Sequence, residues 1–164
     1  MDCNVRNNGT VKKVLVIIAC LMASSLMADT AFFSTFEIDI PDQWTRSVEA
    51  GPRESWGSIL SLHPPGVEDI LKVMSFKTPG EVTESRLRNL TNVAHSVPLI
   101  WHSWGDLAGF QYDYSEGGQS YRQWWLTSER IVVIVSYQYD SETDGIDSAV
   151  IDALVRSITS LSPQ

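Results

Sequence analysis

The sequence predicts an α+β fold built on an antiparallel sheet, and three observations carry that expectation. Leu107 to Tyr139 holds three runs rich in aromatic and β-branched residues, separated by Gly117-Gly118 and by Ser128-Glu129-Arg130, which is the composition and punctuation of a three-stranded meander. Both faces of that meander are apolar, so each needs cover from helices or a second sheet. Two stretches outside it carry apolar residues at helical spacing and supply candidates for the cover.

With Gly117-Gly118 as a two-residue turn, Glu116 faces Gln119, Tyr114 faces Tyr121, Asp113 faces Arg122, Tyr112 faces Gln123 and Phe110 faces Trp125. An aromatic pair and an opposite-charge pair then stand side by side, and a one-residue slip would send every side chain to the wrong face. The second turn is expected to set Leu126 against Ile131 and Trp125 against Val132. One face then carries Trp124, Leu126, Ile131, Val133 and Val135. The other carries Phe110, Tyr112, Tyr114, Tyr121, Trp125, Val132 and Ile134.

Before the meander, Phe36, Ile38 and Ile40 alternate with acidic residues as in a half-buried strand. Pro41-Asp42-Gln43 reads as a turn and Thr45 to Ala50 as the second strand of an N-terminal hairpin. Ser55 to Leu62 and Ile70 to Phe76 are further strands. Thr78, Pro79 and Glu81 have the pattern of a capped helix start, with Thr83 as the alternative cap because Gly80 weakens the first turn. Val82, Leu87, Leu90 and Val93-Ala94 form its apolar stripe. Pro98 to Trp104 is a strand. Ile146 to Leu161 is a closing helix with Val150, Ile151, Leu154, Val155 and Ile158 on one face and Arg156 near the end that favours a cation.

The chain has 164 residues, 43% hydrophobic and 20% charged, as in one globular domain with a real core. Its start differs. Arg6, Lys12 and Lys13 precede the apolar run VLVIIACLMASSLM, and small residues follow to Ala28. This is the pattern of a secretory signal peptide over residues 1–28, with export to the periplasm or the extracellular space and a mature domain over 29–164. An uncleaved anchor is the alternative, although the run is short for a membrane span. Ile17-Ile18-Ala19-Cys20 is similar to a bacterial lipoprotein box, so a lipid anchor at Cys20 is a second alternative. The only cysteines are Cys3 and Cys20, and cleavage after Ala28 leaves none for a disulfide or a thiol nucleophile. That cleavage also leaves nine basic and 19 acidic residues, a net charge of −10. Such a charge argues against nucleic acid or anionic lipid as a partner.

The opening FEIDIPDQW is similar to the Phe-x-hydrophobic-x-hydrophobic-Pro-x-x-Trp start of the PsbP-like superfamily, which includes the extrinsic PsbP protein of photosystem II and the DcrB-type envelope proteins of bacteria. YRQWWLTSERIVVIVSYQY followed by DALVRSI resembles that family's last strands and closing helix, and the resemblance covers most of residues 33–160. It implies an antiparallel sheet between helices, an α/β/α sandwich, and a non-enzymatic accessory or adaptor role. No binding motif of the family is matched residue by residue, so the resemblance assigns no site.

Candidates for chemistry come from the residues alone. Asp140, Glu142 and Asp144 followed by Gly145 resemble the start of a calcium loop, but the twelfth position is Ile151 where a bidentate glutamate is needed. The plainer reading is a solvated loop whose acids favour the helix that follows. His63, His95 and His102 have no close-spaced partner for zinc, and no Gly-x-Ser-x-Gly elbow accompanies them. No cofactor is expected. Tyr112, Tyr114 and Tyr121 gather at one hairpin end beside Asp113 and Arg122, and amphipathic rings beside a charged pair suit a protein-recognition patch. The expected function is therefore an exported, non-enzymatic binding protein. An immunity protein against a toxic enzyme and a small histidine-dependent hydrolase are the alternatives.

Overall fold

The structure is a computed structural model and describes residues 28–33, 35–51, 57–140 and 146–161. Alternation of apolar residues gives β1 (Ala28–Phe32) and β2 (Phe36–Pro41), which pair antiparallel from Ala28 against Pro41 to Phe32 against Glu37. The chain then turns at Pro41, whose carbonyl accepts from the Trp44 amide at 2.9 Å, and enters β3 (Thr45–Glu49). β4 (Ile59–His63) and β5 (Ile70–Lys77) follow. After α1 (Glu84–Leu90) come β6 (His102–Trp104), β7 (Leu107–Glu116), β8 (Gln119–Ser128) and β9 (Ile131–Tyr139). The chain closes with α2 (Ser148–Arg156) and β10 (Thr159–Ser160).

Seven strands form one antiparallel sheet in the order β3-β4-β5-β9-β8-β7-β6, and three form a second in the order β1-β2-β10. The large sheet is the middle layer. On one face Trp124, Leu126, Val133, Val135, Leu60, Leu62, Leu71 and Val73 pack with Phe36, Ile38 and Ile40 of the small sheet and with Ile151, Leu154, Val155 and Ile158 at the chain's end. On the other face Phe110, Val132 and Ile134 pack with Val82 and Leu87 at α1, joined by Trp101 and Trp125. The two apolar faces are thus covered by α1 on one side and by α2 with a small sheet on the other.

The β7–β8 register is the expected one, from Glu116 against Gln119 through Tyr114 against Tyr121 to Phe110 against Trp125. Gly117 and Gly118 both have positive φ, 59° and 84°, as a tight turn of this kind demands. Gly109 has a different reason to be glycine: a Cβ there would lie 1.9 Å from the Trp125 carbonyl oxygen of the neighbouring strand.

Several expectations need correction. The segments 36–41 and 45–49 do not form a hairpin with each other. Both edges of β2 are taken, by β1 and β10, and β3 pairs with β4 in the other sheet. The N-terminal hairpin is β1–β2. The apolar side chains of β2 are buried whereas every residue of β3 is exposed, so the two strands serve different layers. The β8–β9 turn is tighter than expected: Ser128 faces Ile131 and Leu126 faces Val133, around Glu129 with φ 53°. The shift is by two residues, which preserves the faces. The first helix starts after Thr83, whose hydroxyl accepts from the Arg86 amide, and stops at Leu90 before Asn92 with φ 58°. Val93 and Ala94 are outside it. The strand expected from Pro98 begins only at His102. The closing helix ends at Arg156, and Thr159 and Ser160 pair with Glu37 and Phe36. Of the strand expected over 55–62, residues 59–62 lie within β4, and residues 52–56 lie outside the described residues.

Candidate functional site

The turn between β7 and β8 places the five residues singled out from the sequence at one end of the large sheet. Tyr114 and Tyr121, directly opposed, stack with ring centroids 4.9 Å apart and planes 11° from parallel. Tyr112 tilts against Tyr114 with centroids 6.0 Å apart. Its hydroxyl donates to Gln123 Oε1, which also accepts from the Trp125 indole at 3.2 Å. One glutamine thus ties the inner tyrosine to the wall of the core. Tyr112 and Tyr121 are half-buried, and Tyr114 is 36% exposed. Burial raises the pKa of the Tyr112 phenol, an effect that the Trp125 indole partly offsets. Burial, followed by the neighbouring Tyr121 and Glu116, raises that of Tyr114. Both rings are therefore neutral hydrogen-bonding surfaces at ordinary pH.

The reverse face of the same hairpin end is charged. Arg122 donates to Asp113 through Nε at 2.8 Å and through a terminal nitrogen at 3.4 Å, a two-pronged pair. The bond to Asp113 holds the guanidinium more firmly protonated than usual. The Asp113 side chain is 52% exposed and that of Arg122 is 24% exposed.

Two features near this end were not legible in the sequence. Arg88, a charged residue between the apolar positions Leu87 and Leu90 of the first helix, is half-buried. It donates to the carbonyls of Val93, Ala94 and Val97 and to Thr91 Oγ1, which shapes the loop after α1. Asp69 is buried in the β4–β5 loop and accepts from the Tyr137 hydroxyl and, at 3.4 Å, from the Ile146 amide. It lines a cleft of about 570 Å3 with Glu68, Gln119, Gln138, Tyr139 and Asp140. Only the pairing of Gln123 with Tyr112 had a sequence signal, because the hairpin register already opposed them.

The remaining candidates do not converge. His63 ends β4, His95 lies in the loop after α1, and His102 opens β6 with its ring edge-on to Trp104. Glu142 and Asp144 lie outside the described residues, and Asp140 is on the rim of the cleft. Among the described residues no group of three metal-ligating side chains is assembled, and no helix is long and apolar enough to cross a membrane. The closing helix is capped instead by Asp147, a residue the sequence reading did not single out, whose side chain accepts from the Ala149 amide at 2.9 Å. Cys3, Cys20 and the expected signal peptide before Ala28 lie outside the described residues.

No family model matches the chain, and no curated protein matches it. Solved structures do. A crystal structure of a protein from Bacteroides thetaiotaomicron VPI-5482 is 13% identical, with a TM-score of 0.55 over 77% of this chain. The chain spans 45% of that protein's length. The solution structure of cyanobacterial PsbP (CyanoP) from Synechocystis sp. PCC 6803 is 11% identical, with a TM-score of 0.45 over 88% of this chain and 99% of the other. At these identities the likeness is one of fold, and no residue role transfers with it.

Proposed function

We propose that the protein is an exported, non-enzymatic binding protein of the cell envelope that recognises a protein partner through the tyrosine end of the β7–β8 hairpin. The observation that carries this reading is the Tyr114–Tyr121 stack. Two aromatic rings lie at a hairpin tip, one of them 36% exposed, where burying them in the core would be the cheaper arrangement for stability alone. The rings sit on a continuous ladder and are braced by Tyr112, whose hydroxyl is held by Gln123, so the patch is preorganised and loses little freedom on binding. The acidic surplus favours a partner with cationic character. Export is supported by the basic-then-apolar start, and a cut after Ala28 would spare all but the first residue of β1.

The test is fractionation followed by capture. Tagged full chain expressed in a bacterial host should be processed, recovered outside the cytoplasm with the mass of a chain starting at Asp29, and retain a specific protein from envelope extract. A mass showing a lipid on Cys20 would replace the soluble form with a tethered one. Recovery in the cytoplasm, unprocessed, would overturn the export reading.

A further inference from the structure

Among the described residues the large sheet has two edges without a further strand, and they are built differently. β3 is five residues long and carries Arg46 bridged to Asp29 at 3.4 Å, the short and charged design that discourages further pairing. β7 is ten residues long, yet β6 covers only Leu107 to Gly109 of it. From Gln111 to Glu116 no strand among the described residues pairs with its outer side, and residues 113–116 are exposed. That half has no proline, no lysine and no interruption of register.

Alternation fixes which backbone groups face outward. The two-residue turn makes Glu116–Gln119, Tyr114–Tyr121 and Tyr112–Gln123 the hydrogen-bonded pairs of the β7–β8 ladder. The N–H and C=O of Gln111, Asp113 and Ser115 therefore point away from β8. Gly109 and Leu107 continue the same set and are taken up by β6, opposite His102 and Trp104.

We infer that the open half of β7 accepts an extended strand from a partner protein, with a lysine or arginine of that strand opposite Asp113 and apolar residues opposite Tyr112 and Tyr114. This rests on the recognition reading above and names the mode of binding. Backbone pairing at Gln111, Asp113 and Ser115 supplies the docking, and side chains on the two faces supply the selection. Asp113 is half exposed and has carboxylate capacity beyond the two bonds from Arg122, so a second cation extends the charge ladder. On the other face, Tyr112 and Tyr114 fall in the pairs where side chains approach most closely, which favours β-branched or aromatic neighbours. A second copy of this chain is a poor occupant. The self-pairing of greatest overlap opposes Asp113 to Asp113, and directly opposed like charges are destabilising.

Hydrogen exchange on the mature chain tests this amide by amide. Without ligand, the Gln111, Asp113 and Ser115 amides exchange fast and the Tyr112 and Tyr114 amides slowly. A capped Thr-Val-Lys-Val-Thr peptide at millimolar concentration should slow the first three at least tenfold, and the same peptide with glutamate for lysine should not. Ser115→Pro, which removes one outward donor and leaves the β8 ladder, should weaken the peptide about tenfold. Absence of peptide-dependent protection, or equal protection by the glutamate peptide, overturns the proposal. So does protection that rises with protein concentration alone, which would assign the edge to a second copy. If Tyr114→Ala with Tyr121→Ala loses a captured partner while Ser115→Pro keeps it, the recognition reading stands and strand addition falls.

Discussion

Trp124 is fully buried at the centre of the face shared with Leu126 and Val133, opposite Gln111 on one side and Val135 on the other. Its truncation to alanine empties the largest fully buried side chain of the core and should cost about 3–5 kcal/mol in urea melts. The Asp113–Arg122 pair belongs to another regime. It is partly exposed, so a double-mutant cycle should return no more than about 1 kcal/mol, less at high salt. Tyr137 gives a pH prediction. Burial raises its phenol above the ordinary value, and the hydrogen bond to Asp69 raises it further. A pKa raised by folding stabilises fully below the unfolded value, about 10, and that contribution is lost as pH rises towards the folded value. Tyr137→Phe also leaves Asp69 short of a partner and should cost about 1–3 kcal/mol at neutral pH. In urea melts the gap between the variant and the parent should shrink above pH 10; a constant gap would mean that the phenol titrates freely in the fold.

At the scale of elements, the loop after α1 depends on Arg88. Four acceptors converge on one guanidinium, three of them backbone carbonyls. Arg88→Ala should destabilise by about 1–3 kcal/mol, and Arg88→Lys should recover little, since an ammonium lacks the planar fork. Full rescue by lysine in thermal melts would show that charge alone sufficed. The β7–β8 register was legible because Gly117-Gly118 fixes the turn and every later pair follows from it. The β8–β9 register was misread by two residues because Glu129 takes a positive φ that its type does not advertise. The first helix was read too long because the apolar spacing runs on through Val93, while Asn92 in a left-handed conformation ends it. The apolar residues of β2 were seen, but not that the strand would join Ala28–Phe32, a run of five without the strict apolar–polar alternation that marks a strand.

At the scale of the molecule, the three-layer arrangement follows from a meander apolar on both faces, and that much was written in the residues of 107–139. The five site residues were brought together as the hairpin register required, whereas the buried Asp69 and its cleft depend on how the β4–β5 loop folds back, which no periodicity encodes. The rigid core and the exposed hairpin end divide the labour: one gives stability and the other, on our account, recognition. The most direct test is to measure Tyr114→Ala with Tyr121→Ala twice, once in a thermal melt and once in a titration against the captured partner. The account predicts binding weakened at least tenfold with the melting temperature within about 2 °C of the parent, because truncating residues at an exposed strand end costs little stability. Unchanged affinity, or a fall in melting temperature of about 8 °C or more, would contradict it and return both rings to the core.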